Sequence, residues 1–220
     1  MGNVCGSSGS HHVYSPRSGS GHSTPAYSRS AQSTPVRHSP SPSRASGSGG
    51  GERLTSVYQL SSKERKKFLK NHDPMQRFGL NANTSVYRTT HSCYVDEDGM
   101  MAGNPDSGAL IHMHEELTPN PYAEDIGARP GQASAYLPRR ESARNLGVPS
   151  LNVMVGSGAL GSVKRYAGPD HVTTKMKLGD FLDRGGKVYS DYSAVAGNGE
   201  TTSALLVTLP EGEKVPVKIV

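Results

Sequence analysis

The sequence predicts an α+β fold for residues 53–220, behind a disordered arm of residues 1–52. Three observations predict it. Helix signals come early in the chain, strand signals crowd its C-terminal part, and the first 51 residues hold almost no aliphatic side chains. Helices followed by strands argue for segregated layers, not for alternating α/β units. The arm is built from Ser, Gly, Pro, His and Thr, with repeated steps such as Ser15-Pro16, Thr24-Pro25, Thr34-Pro35 and Ser39-Pro40. Such a segment cannot bury enough apolar area to offset its chain entropy. It ends in the flexible run Gly49 to Gly51. The remaining length is enough for one sizeable core.

The elements follow in order. Order is expected from Leu54. Ser61 with Glu64 makes a capping box, and a helix through Lys70 should bury Phe68 and Leu69 and stop before Pro74. Thr84 to Thr90 is β-branched and aromatic, so it reads as a strand. Asp106 or Ser107 can cap a second helix, running to about Leu117 and ended by Pro119. Residues 119–148 are rich in Pro and Gly and read as a long loop with little regular structure. Strands are then expected at Leu151 to Val155, Val172 to Leu178, Lys187 to Tyr192, Ala204 to Leu209 and Val215 to Val220, with a short helix near Asp180 to Asp183. No internal repeat is visible.

Charge narrows the function classes. The chain carries +5, but Arg17, Arg29, Arg37 and Arg44 lie in residues 1–51 without any acidic group. The rest holds 20 basic and 19 acidic groups, so it is nearly neutral. That argues against nucleic acid as a partner, which needs a clustered basic face. A basic arm suits an anionic membrane surface better. No run approaches 18 apolar residues, so no spanning helix is expected. The N-terminus lacks the basic and apolar regions of a secretory signal peptide. Cys5 and Cys93 lie one in the arm and one in the domain, so a structural disulfide is not expected.

The chain begins Met1-Gly2-Asn3-Val4-Cys5-Gly6. Loss of Met1 would expose the Gly2 amine for N-myristoylation, although Gly6 stands where the usual pattern has Ser or Thr. One myristoyl chain binds membrane only marginally, with K on the order of 10⁴ M⁻¹. A second signal is therefore needed, and palmitate on Cys5 is favoured over the widely spaced arm arginines.

Two other patterns are weaker. Gly156, Gly158 and Gly161 match G-x-G-x-x-G after an apolar run. Gly168 and Pro169 leave little room for the helix that would hold a pyrophosphate, so a Gly-rich hairpin turn is the better reading. His112 and Glu116 would share a face of the expected second helix, but a zincin needs two histidines there. No metal is expected.

The opening MGNVCGSSGS-HHVYSP, the blocks SVYRTT and MHEELTPN, and the C-terminal GVPSLNVM, KLGDFLDRGGKVYSD and ALLVTLPEGEKVPV resemble the HopF/AvrPphF family of plant-pathogen type III effectors. The resemblance implies an ADP-ribosyltransferase-like head with a small helical stalk. It implies injection into plant cells, myristoylation there, and a place at the host plasma membrane. It further implies suppression of immune signalling, with host MAP kinase kinases and a membrane-associated immune regulator as targets, and a cognate secretion chaperone as bacterial partner. The family's paired functional residues correspond to Arg88 in Y-R-T-T and Asp191 in K-V-Y-S-D. The wider toxin fold uses glutamate where this chain has Asp191.

The implied reaction transfers ADP-ribose from NAD, used as a substrate, through a ribosyl cation akin to that of glycoside hydrolysis. Arg88 suits the diphosphate, because its planar fork makes paired charged hydrogen bonds. Asp191 suits the ribose and its developing positive charge. Thr89 and Thr90 could add hydroxyl donors, and Tyr136 or Tyr189 could stack on nicotinamide. The competing expectation is a protein of the same shape that binds host kinases without turnover.

Overall fold

The structure is a computed structural model that describes residues 53–191 and 202–220. Contacts divide the chain into Met1–Glu52 and Arg53–Val220, and every described residue belongs to the second unit. The arm, with its expected disorder, Gly2 and Cys5, lies outside the described residues.

The first helix, α1 (Ser62–His72), begins where the sequence marks it. Ser61 Oγ accepts the Glu64 amide at 3.3 Å, the capping half of the expected box. The other half is absent, because Glu64 Oε2 instead accepts from the Ala133 amide at 2.5 Å. Asp73 then caps the short α2 (Pro74–Arg77), which carries proline at its first position. Phe68 is buried with Val57, Leu60, Leu117 and Ala133 in a small satellite core.

Strand β1 (Ser85–His91) enters a six-stranded sheet with β5 (Ser150–Gly156), β6 (His171–Lys177), β7 (Val188–Ser190), β8 (Thr202–Thr208) and β10 (Lys218–Ile219). The strand order is β10-β6-β1-β5-β8-β7, and every pairing is antiparallel. One face of this sheet carries the main core. Val86, Val153, Val155, Met176, Leu205 and Val207 alternate inward with the strand period of two and pack against Leu178 and Phe181 of α4 (Leu178–Leu182). Each such buried aliphatic side chain stabilises the fold by about 1.5–3 kcal/mol. The strand β2 (Met100–Ala102) pairs with β9 (Lys214–Pro216) and adds Met101 and Val215 to this core. Gly186 lets the chain turn from α4 into β7. A Cβ there would strike the Thr208 and Phe181 carbonyl oxygens.

Several expectations need correction. Residues 110–119 form a strand, β3 (Leu110–Pro119), and not a helix. Ile111 and Met113 are buried and alternate with half-buried His112 and His114, a period of two. The pairing partner is β4 (Tyr136–Ser142), which lies inside the span expected to be irregular. Tertiary pairing thus outweighs the helix propensity of His-Glu-Glu-Leu. The ladder shifts register between Met113 and Leu117, where Glu115 stays exposed and Leu117 is buried. The glycine pattern is no hairpin turn either. Gly158 precedes a short helix, α3 (Ala159–Lys164). β5 has only antiparallel neighbours, so the parallel unit of a dinucleotide fold is not built here. Finally, Cys93 is disulfide-bonded, against expectation.

Candidate functional site

The six-stranded sheet is zipped unevenly. β1 and β6 stay in register from Ser85↔Lys177 to His91↔His171, and β5 and β8 from Ser150↔Thr208 to Gly156↔Thr202. Between them, β1 and β5 share only Val86↔Val155 and Tyr87↔Met154. The sheet therefore opens between β1 and β5 just beyond Tyr87, and the next residue of β1 is Arg88.

Arg88 occupies this opening. Its Nη1 donates to the Asn152 carbonyl at 2.9 Å, so a guanidinium serves a backbone acceptor of β5 where the ladder has stopped. Its own carbonyl accepts from Thr174 Oγ1 at 3.0 Å, which ties it to the zipped side. Asn152 makes the second connection. Its Nδ2 donates to Asp191 Oδ2 at 2.6 Å. The topology explains why these two meet. Asn152 and Tyr189 both pair with Leu206, one from each side of β8. Asp191 lies two residues past Tyr189 and so shares its face of the sheet. The Asp191 amide donates to the Ala204 carbonyl at 3.2 Å, and the residue is 7% exposed. Arg88 and Asp191, 103 positions apart in the chain, are thus both held by one asparagine.

The other expected site residues are placed differently. Thr89 Oγ1 donates to the Val163 carbonyl at 2.7 Å and lies 2.9 Å from Thr173 Oγ1, so its hydroxyl fastens α3 to the sheet. Thr90 is buried at the far end of the same strand. Tyr136 packs beside the satellite core around Phe68, and its hydroxyl accepts from the Gly131 amide at 3.2 Å. That places it in the β3–β4 ribbon and not with Arg88 and Asp191. Tyr189 is the tyrosine of this region. It is half-buried against Leu206, and burial, followed by Glu115 and Glu116, pushes its phenol up to about 12.

Three histidines line the join between α1, the ribbon and β7. His112 is depressed to about 4, first by burial and then by Arg140, with Asp191 partly opposing. His114 lies 3.9 Å from Asp73, and its ring meets Tyr189 at 5.7 Å between centroids. Burial also lowers His114 and His72. The His112 and Glu116 spacing has lost its helical meaning in a strand. Among the described residues no group of three His, Cys, Asp or Glu is arranged to hold a metal ion.

Two cavities among the described residues lie elsewhere. One, of about 210 Å³, sits among Phe68, His72, Asn120 and Tyr136. The other, of about 340 Å³, sits among Arg53, Thr55, Glu116 and Arg139. Asn152 is the residue that reading the sequence passes over. It does carry a signal, because it is a polar amide inside the apolar run Leu151 to Val155 of a central strand.

The comparisons with known proteins agree with this architecture. The crystal structure of AvrPphF ORF2, a type III effector from P. syringae, is 56% identical to the chain, with a TM-score of 0.66 over 76% of this chain and 94% of that one. No curated protein matches. The AvrPphF-ORF-2 family matches residues 46–220, which include β1, β5, Asp191 and all other described elements, and the chain belongs to that family.

Proposed function

We propose that the chain is a type III secreted virulence effector that transfers ADP-ribose from NAD to host immune-signalling proteins, with Arg88 and Asp191 as its functional pair. The observation that carries the reading is the convergence of these two residues on Asn152 at the opening between β1 and β5. The relative of known structure, AvrPphF ORF2, is a type III effector, which supports the effector half.

The residues fit NAD by their chemistry: a guanidinium for a diphosphate, and a carboxylate for a ribose. Bound NAD would supply an ADP-ribosyl group attached to nicotinamide, which leaves with the bonding electron pair. Arg88 would grip the diphosphate with paired charged hydrogen bonds. Asp191, oriented by Asn152, would face the positive charge growing on the sugar. The acceptor side chain of the target forms the new bond and releases its proton. Host MAP kinase kinases and a membrane-associated immune regulator are the proposed targets. Myristate on Gly2 would hold the protein at the host plasma membrane, with palmitate on Cys5 where a reducing compartment leaves that thiol free, and a cognate chaperone would accompany it before export.

A second reading has its own support. Asp191 is buried, one of its oxygens is engaged by Asn152, and the two cavities described above lie elsewhere. On that reading the same fold inhibits host kinases by binding, without turnover. Purified protein, labelled NAD and a candidate kinase separate the two. The enzyme reading expects label on the kinase that disappears in Arg88→Ala and in Asp191→Ala. Binding of the kinase without any label transfer supports the inhibitor.

A further inference from the structure

The lysines of α1 form a stripe that the fold leaves outside. Lys63, Lys66, Lys67 and Lys70 stand at positions i, i+3, i+4 and i+7, which places them on one face of the helix. All four are exposed. The opposite face is turned inward, where Phe68 is buried and its ring lies 4.5 Å from that of His72. Among the described residues none of the four lysines pairs with a carboxylate. Glu64, the helix's one acidic residue, turns its carboxylate away to the Ala133 amide.

Only Lys70, in the last turn, suits the helix dipole. Like charges three and four residues apart repel. Lys63 also lies in the first turn, where the helix dipole disfavours a cation. The domain as a whole is nearly neutral, so the four lysines gather positive charge on one face without making the domain basic in bulk. We infer that this face of α1 is a membrane-docking surface that receives the phosphates of anionic lipids, independently of any acyl chain.

A lipid surface fits better than a protein partner. Lysine is depleted from the cores of protein interfaces, where aromatic residues and arginine supply most of the energy. The stripe contains only lysines, and their long stems let the ammonium groups reach a field of phosphates without fixed pairing. Seven residues of helix put about 10 Å between the first and last lysine, which matches a row of lipid headgroups and not one small anion. The helix also follows closely on a basic arm, and residues 1–72 together hold ten basic groups and two acidic ones.

The test uses the full-length, unacylated chain and vesicle co-sedimentation. Vesicles of neutral phosphatidylcholine are compared with vesicles that also contain phosphatidylserine. The parent should bind only the anionic vesicles and should be released by high salt. Changing all four lysines to Gln should weaken that binding about a hundredfold, taking somewhat under 1 kcal/mol per lysine near an anionic surface. A control with Arg17, Arg29, Arg37 and Arg44 changed to Gln should keep most of it. Circular dichroism checks that each variant is folded. Three results would overturn the inference. One is unchanged binding by the four-lysine variant. Another is no preference of the parent for anionic vesicles. The third is binding to soluble polyglutamate as tight as to vesicles, which would mark a site for acidic protein. None of these readouts involves NAD, so the outcome does not depend on the transferase reading.

Discussion

The two seams that flank the central part of the sheet differ, and the difference locates the site. Between β1 and β6, seven residue pairs hold the strands together, and threonine hydroxyls lock the ladder further, Thr174 to the Arg88 carbonyl and Thr89 to Thr173. Between β1 and β5 only two pairs form, and side chains take over where backbone pairing stops. A closed seam spends its polar groups on the fold. An open one leaves a guanidinium and a carboxylate that both meet one asparagine. Changes along the closed seam should therefore cost stability alone, whereas changes along the open seam should cost function as well.

The largest effect is expected where the chain turns from α4 into β7, the strand that leads to Asp191. Gly186→Ala drives a methyl group into the Thr208 and Phe181 carbonyls. We expect a loss of about 3 kcal/mol or more, since buried overpacking of backbone is among the costliest changes. Urea denaturation measures it. Gly161→Ala in α3 is the control, because its added Cβ meets nothing within 4 Å.

Asn152→Ala comes next. It keeps the carbonyl that receives Arg88 and removes only the amide that holds Asp191. Loss of this charge-assisted bond should cost about 1–3 kcal/mol in stability. Its functional loss should equal that of Asp191→Ala, which a plant-cell immune-suppression assay would report. Thr174→Val tests the closed seam. It removes one hydroxyl bond to the Arg88 carbonyl, should cost about 1 kcal/mol, and should leave function unchanged.

The smallest effect concerns pH. His112 is neutral in the folded chain down to about 4, whereas its ordinary value is 6.5. Between those values the unfolded chain binds a proton that the folded chain refuses. The stability His112 contributes is therefore full above 6.5 and is lost as pH falls towards 4. Because the side chain is only half-buried, solvent screening limits the loss to on the order of 1 kcal/mol. His72 and His114 are depressed as well and push in the same direction. Denaturation midpoints in urea at neutral and mildly acid pH, compared with those of His112→Gln, should reveal it.

Much of the fold is legible in the sequence. Ser61, Pro74 and the apolar alternation of Leu151 to Val155 are local signals, and the elements they mark are present. The failures share a cause. β3 and β4 are strands because they pair with each other, and nothing within His112 to Leu117 announces that partner. The site divides in the same way. Arg88 and Asp191 stand out only through a family resemblance, since each alone reads as an ordinary strand arginine or turn aspartate. Asn152 gains its meaning only once β8 has set β5 beside β7. Tyr136 has the ring chemistry for stacking, but its strand belongs to a different sheet.

The most direct test is a double-mutant cycle on Arg88 and Asp191, read as suppression of immune signalling by the full-length protein in plant cells. If the two side chains act as one unit through Asn152, then Arg88→Ala, Asp191→Ala and the double variant should lose the same activity, with the second change adding nothing. Single variants as active as the parent, or losses that simply add, would contradict the account.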